Sequence, residues 1–106
     1  MKLAVITSPE AALGFRLAGF LAYEATSTEE AKRHLEELVQ QGGIALVAVD
    51  QALLPEPEKA VERLMRGRDL PVLLPISGLE DAFQNPDVEA YMRTLVRQTI
   101  GFDIKL

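Results

Sequence analysis

Two short apolar runs constrain the fold of this chain more than any other feature. Residues 3–6 (LAVI) and residues 44–49 (IALVAV) contain no polar side chain. A strand with one face in water alternates apolar and polar residues, whereas a strand covered on both faces is continuously apolar. Both runs therefore predict central strands of a parallel sheet with helices on both faces.

Helical segments separate four strand-like segments, which gives the order β-α-β-α-β-α-β. The predicted strands are residues 2–7, 20–25, 44–49 and 70–76. The second mixes polar with apolar residues, and the fourth contains Pro71 and Pro75, which cannot donate ladder hydrogen bonds; both features favour edge positions. Right-handed crossovers then predict an α/β fold with a four-stranded parallel sheet of order 2-1-3-4, flanked by helices. This is the start of the flavodoxin-like and receiver-like order, without a fifth strand.

Local signals place the helices between these strands. Pro9 opens the first helix, which should end near Gly19. Ser27 and Glu30 have capping-box spacing, and the helix that they open should run to about Gln41, before two glycines. A third helix is predicted over residues 57–66, ahead of Gly67.

The C-terminal third departs from this regular pattern. We predict a body over residues 1–76, an acidic linker over 77–87 with three carboxylates and no cation, and a helical arm over 88–106. Asn85 is the expected cap of the arm's helix, and Gly101 its end. Its apolar stripe has helical spacing and comprises Val88, Tyr91, Met92, Leu95, Val96 and Ile100.

This stripe must be buried against something, because a helix of about 14 residues is marginal alone in water. It packs either on the chain's own sheet or on another protein, and the long polar linker favours a movable arm. Arg93 and Arg97 lie one turn apart beside the stripe and make the arm locally cationic. We therefore predict that the stripe and both arginines bind a partner.

Composition excludes several classes of function. The chain has 11 basic and 16 acidic residues and a net charge of −5, which argues against nucleic acid or an anionic membrane as a partner. With no cysteine and one histidine, neither a disulfide nor a zinc site is expected. We expect no cofactor and no metal. No apolar run is long enough to span a membrane and no signal-peptide pattern is present, so a cytoplasmic protein is expected.

The loop after the first strand carries no phosphate-binding motif. Residues 13–19 (LGFRLAG) match neither a dinucleotide nor a triphosphate motif. Glycines around Phe15 and Arg16 instead suit a tight segment that locks onto its own sheet or onto another protein, so both residues are candidate contacts. One enzymatic alternative is a degenerate receiver-like signalling domain with Asp50 as phosphoacceptor and Ser77 beside it. That alternative lacks the acidic pair after the first strand that would hold Mg²⁺.

Several segments together resemble the F subunit of the V-type (archaeal and bacterial A-type) rotary ATPase/ATP synthase. They are residues 2–6 (KLAVI), 13–19 (LGFRLAG), 26–31 (TSTEEA), 70–72 (LPV) and 100–104 (IGFDI). The resemblance extends along the whole chain, and the LGFRLAG and IGFDI segments are its most specific parts.

This resemblance implies a non-catalytic central-stalk subunit. Such subunits pair with the coiled-coil D subunit, which turns inside a hexamer of catalytic A and B subunits and couples ATP synthesis or hydrolysis to ion transport. The C-terminal helix regulates activity by moving between retracted and extended positions. The expected location is peripheral, at the cytoplasmic face of the membrane, without membrane insertion.

Overall fold

The strands form one parallel sheet with the predicted order. A computed structural model describes residues 2–84 and 86–100. Its strands are β1 (Lys2–Thr7), β2 (Leu21–Glu24), β3 (Ile44–Asp50) and β4 (Val72–Ile76). They pair in parallel in the order β2-β1-β3-β4. The predicted α/β class and strand order are confirmed.

Five α-helices and one 3-10 helix accompany the sheet in the described part of the chain. They are α1 (Pro9–Leu17), α2 (Thr28–Gln41), α3 (Pro57–Ala60), α4 (Glu62–Met65), the 3-10 helix (Leu79–Gln84) and α5 (Val88–Ile100). The single helix predicted over residues 57–66 is wrong. Val61 interrupts it with φ −122° and ψ 28°, and its side chain is buried in the core. Because Val61 is β-branched and favours a helix only weakly, the free energy gained by burying its side chain exceeds the free energy lost where the helix is interrupted.

Two apolar clusters lie on opposite faces of the sheet, which explains the continuous apolar runs. Ile6 and Val47 point into the first cluster, which α2, α3 and α4 cover. Val5 and Leu46 point into the second, which α1, the 3-10 helix and α5 cover. Successive strand residues point to opposite faces, so both central strands are apolar at every position from Ala4 to Ile6 and from Ile44 to Val49.

The capping of α2 differs from the predicted box in one bond. Ser27 Oγ accepts a hydrogen bond from the Glu30 amide at 3.2 Å, as predicted. The Glu30 carboxylate does not return to the Ser27 amide; it accepts from the amide and hydroxyl groups of Thr26. These bonds hold the pKa of Glu30 below its usual value. At the other end, Gly42 and Gly43 adopt φ of 75° and 78°, a conformation that favours glycine.

Candidate partner-binding surface

Helix α5 begins with a side-chain cap from Asp87. Its Oδ1 accepts a hydrogen bond from the Ala90 amide at 3.0 Å, which satisfies one of the amides left unpaired at a helix start. The predicted cap, Asn85, lies outside the described residues, as do Gly101 and the tail over residues 102–106.

The predicted stripe of α5 packs on the chain's own sheet. Met92 and Val96 are fully buried in the second cluster. Val88, Tyr91 and Leu95 are partly buried against the same cluster. The side chain of Ile100 lies outside the described residues. In this conformation the centre of the stripe is therefore closed to any partner.

The acidic segment before α5 also contacts the body. Leu79 and Ala82 of the 3-10 helix are fully buried in the second cluster. The Tyr91 hydroxyl donates a hydrogen bond to the Gly78 carbonyl at 3.0 Å, which ties α5 to the turn after β4. Residues 78–82 thus form a folded connection to α5 in this structure, not an extended chain. The division into a body, a linker and an arm remains a prediction.

The polar side of α5 carries the two predicted arginines. Arg93 Nη2 lies 3.1 Å from Glu89 Oε1, and the two side chains are 41% and 57% exposed, so water screens this ion pair and it contributes little to stability. Arg97 is exposed in the last turn. The docked helix therefore keeps its charged face in solvent while its apolar stripe is covered.

Phe15 and Arg16 both serve the fold of α1. Phe15 is fully buried, and its ring meets Phe20 and Phe83 edge-on at centroid distances of 5.6 and 4.8 Å. Arg16 Nε donates to the Ala22 carbonyl at 3.0 Å. The Phe15 ring is therefore closed to a partner, and this part of the chain packs on its own sheet.

The exposed apolar residues of α1 are Leu13 and Leu17, which sequence reasoning did not single out. Their side chains are 56% and 81% exposed. The signal that could have found them was their spacing, because residues four apart share a helix face and Phe15 already points the opposite way. Phe83 is 39% exposed, and its ring lies over Gly14.

The carboxyl edge of the sheet offers no metal site within residues 2–84 and 86–100. No group of three or more His, Cys, Asp and Glu side chains is placed there to hold an ion. Asp50 Oδ2 accepts from Thr7 Oγ1 at 3.4 Å, and Oδ1 accepts from the Ala52 amide at 3.0 Å. Both oxygens of Asp50 are thus engaged within the chain, and nothing here favours the receiver-like alternative.

Alkaline pH should weaken the docking of α5, because the pKa of the Tyr91 hydroxyl is raised above its usual value of about 10. Burial is the main cause, and the charges of Asp81 and Glu80 add to it. The protonated Tyr91 hydroxyl stabilises the docked helix fully at pH values below the pKa that Tyr91 has in the unfolded chain. This stabilisation is lost as the pH rises through the higher pKa of Tyr91 in the folded protein. We expect amide exchange in α5 to increase over that range, after correction for intrinsic rates, and Tyr91→Phe to abolish this step.

The fold and the surface together define a small α/β subunit with an amphipathic terminal helix. The family model of the ATP synthase (F/14-kDa) subunit matches residues 3–96. This chain therefore belongs to that family, the F subunits of V-type and A-type rotary ATP synthases. It is an accessory subunit of such a complex. Among the described residues, no helix has both the length and the apolar content needed to cross a membrane.

Relatives from bacteria and archaea agree with this assignment. The V-type ATP synthase F subunit of Thermus thermophilus is 72% identical over 104 residues, which cover 98% of this chain and 100% of the relative. The A-type F subunit of Thermococcus gammatolerans is 32% identical over 112 residues, 99% of each chain. The crystal structure of the Archaeoglobus fulgidus V-type F subunit has 27% identity and a TM-score of 0.55, covering 72% of this chain and 96% of that one.

Proposed function

We propose that this chain is a central-stalk subunit that binds the coiled-coil axle of the rotary complex, the D subunit, and carries no catalytic site. The axle turns inside the catalytic hexamer of A and B subunits, peripheral to the membrane on its cytoplasmic face. The observation that carries this proposal is the apolar stripe of α5 on a member of the F-subunit family. A stripe of this kind suits the groove between two helices.

Either the chain's own sheet or a partner can cover the apolar stripe of α5, and this competition gives α5 a regulatory role. In the docked position Met92 and Val96 are fully buried, and three neighbours are partly buried. Their burial stabilises docking by a gross amount on the order of 5 to 10 kcal/mol. Helix α5 therefore leaves the sheet only when a partner covers a comparable apolar area, because a ligand shifts an equilibrium only by its differential affinity.

Two substitutions with opposite expected effects test this competition. Tyr91→Phe removes the hydrogen bond to Gly78 but keeps the apolar ring, so it weakens docking alone, by about 0.5 to 1.5 kcal/mol. We expect it to tighten binding to the purified D subunit by about two- to tenfold, because less free energy is spent on undocking. Leu95→Glu also loosens docking, but it removes an apolar contact with the partner and puts a charge in its place, so binding should weaken by about tenfold or more.

Calorimetric titration of full-length protein with the D subunit measures both effects. Thr94→Glu is the matched control for the added charge, since Thr94 is exposed on α5 beside Leu95. If Leu95→Glu and Thr94→Glu bind alike, the stripe is not the contact. If Tyr91→Phe fails to tighten binding, docking and partner binding do not compete.

A further inference from the structure

Side chains from both faces of the sheet close the outer edge of β2. This strand pairs with β1 alone, so its other side is a free edge. The Ala25 amide, just after β2, donates to the Thr7 carbonyl of β1 at 2.9 Å. Because backbone groups alternate between the two sides of a strand, the amide and carbonyl groups of Ala22 and Glu24 point outward. A free edge of this kind readily pairs with another strand.

Two side chains bind the outward carbonyl groups. Arg16 Nε, from α1, donates to the Ala22 carbonyl at 3.0 Å. His34 Nε2, from α2, lies 2.9 Å from the Glu24 carbonyl. A carbonyl oxygen only accepts, so Nε2 carries the hydrogen and donates it. Since α1 and α2 cover opposite faces of the sheet, these two caps reach the edge from both sides.

The His34 cap leaves one ring nitrogen without a partner. With the hydrogen on Nε2, the other nitrogen, Nδ1, is a bare acceptor, and it is buried without a hydrogen bond to any described residue. The Tyr23 ring lies beside the imidazole at a centroid distance of 5.4 Å. A buried acceptor that has lost water without gaining a donor costs free energy. The imidazole therefore suits the closing of the edge better than it suits the core.

The opposite edge of the sheet is closed in a different way. The Ile76 carbonyl of β4 accepts from the Gln51 amide on the β3 side, so the neighbouring Pro75 faces outward. Proline has no amide hydrogen, and a strand that approached there would lack a donor. β2 (LAYE) contains no proline, and its outward amides keep their hydrogens. Side chains from the neighbouring helices therefore have to close that edge.

We propose that Arg16 and His34 guard the β2 edge against strand pairing with a second copy of this chain. The edge is self-complementary. In an antiparallel pair about a two-fold axis at Tyr23, Ala22 of one copy lies opposite Glu24 of the other, and each presents an outward amide and carbonyl. Each cap occupies a carbonyl that this pairing needs, so two bonds in each chain have to break before two copies pair. The free subunit thus stays monomeric without a proline in β2.

Removing both caps from the full chain tests this proposal. Arg16→Met with His34→Leu deletes both donors and keeps a high helix propensity at both positions. The matched control is Arg33→Met with Gln40→Leu, which removes the same charge and adds apolar surface at exposed positions of α2. In sedimentation velocity over a range of concentrations, the uncapped variant should dimerise at least about tenfold more tightly than the parent and the control, because no side-chain bond has to break.

Hydrogen exchange identifies the surface that pairs. The outward amides of Ala22 and Glu24 should be protected in the dimer of the uncapped variant, because pairing at this edge gives them acceptors. Arg16→Lys with His34→Gln keeps a donor at both positions and should stay monomeric. The melting temperature of the uncapped variant, measured where it is monomeric, should stay close to that of the parent, since the unpaired nitrogen of His34 is removed together with the cap.

Four results would refute the guarding role. The first is an uncapped variant that is as monomeric as the parent. The second is equal dimerisation of the uncapped variant and either the control or the donor-keeping variant, since the lost caps are then not the cause. The third is a dimer in which both outward amides stay unprotected, because another surface then pairs. The fourth is a much lower melting temperature with faster exchange throughout β1 and β3, because the two side chains then hold the fold together.

Discussion

Replacing Met92 with glutamate should detach α5 from the body and lower the free energy of unfolding by about 3 kcal/mol or more. Met92 is fully buried within the second cluster, among apolar side chains. A carboxylate there either loses its hydration or takes up a proton, and both cost free energy. Because α5 is the terminal helix of the described chain, its detachment is the less costly response.

Hydrogen exchange and denaturant unfolding together test this prediction. Exchange should rise throughout α5 and the 3-10 helix, while β1 and β3 remain better protected. Thr94→Glu places the same charge two residues away on the exposed side, and its stability should stay within about 0.5 kcal/mol of the parent. If Met92→Glu and Thr94→Glu are equally stable, α5 does not dock on this sheet in solution.

The strand order was predictable because edge and centre place different demands on sequence. β3 has neighbours on both sides and helices over both faces, so each residue from Ile44 to Val49 is apolar. β4 pairs with β3 alone, with Pro75 opposite Val49 in the register. An edge strand accommodates a proline, since its outward side needs no donor. Central and edge positions constrain each strand separately, so the residues of each strand indicate which position it takes.

The docking of α5 was not predictable from its own residues, because a stripe looks the same whatever covers it. The topology held the missing signal. In the order 2-1-3-4, the crossover from β1 to β2 runs in the opposite direction to the crossovers from β2 to β3 and from β3 to β4. Right-handed connections therefore place α1 on one face of the sheet and α2, α3 and α4 on the other. The face with α1 is then half covered, and α5 completes it over β3 and β4.

The 3-10 helix escaped sequence reasoning for a related reason. Its charges at Glu80 and Asp81 made the segment read as a solvated linker. The buried residues of this helix are Leu79 and Ala82, which lie three residues apart as a 3-10 helix requires. A single pair at this spacing cannot be distinguished from chance in a sequence. The role of Gly14 was equally hidden, since the ring that it accommodates comes from a residue far along the chain.

Replacing Phe15 with alanine should cost about 3 to 5 kcal/mol of stability, the largest effect expected from a truncation in α1. The ring is fully buried and joins Phe20 to Phe83 through two edge-on contacts. Its loss leaves a cavity under α1 and removes the support of Phe83, so it should also loosen the 3-10 helix that leads to α5. Chemical denaturation measures the stability, and exchange at residues 79–84 measures the loosening.

Leu17→Ala is the matched control, because it truncates an apolar side chain two residues away that is 81% exposed. Its stability should change by no more than about 0.5 kcal/mol, because most of the Leu17 side chain is already in solvent. Phe15→Ala should instead show a large loss of stability. Equal losses of stability in the two variants would mean that α1 is rotated from the orientation described. A stable Leu17→Ala protein beside a destabilised Phe15→Ala protein would show that the inward side of α1 holds the body together and the outward side does not.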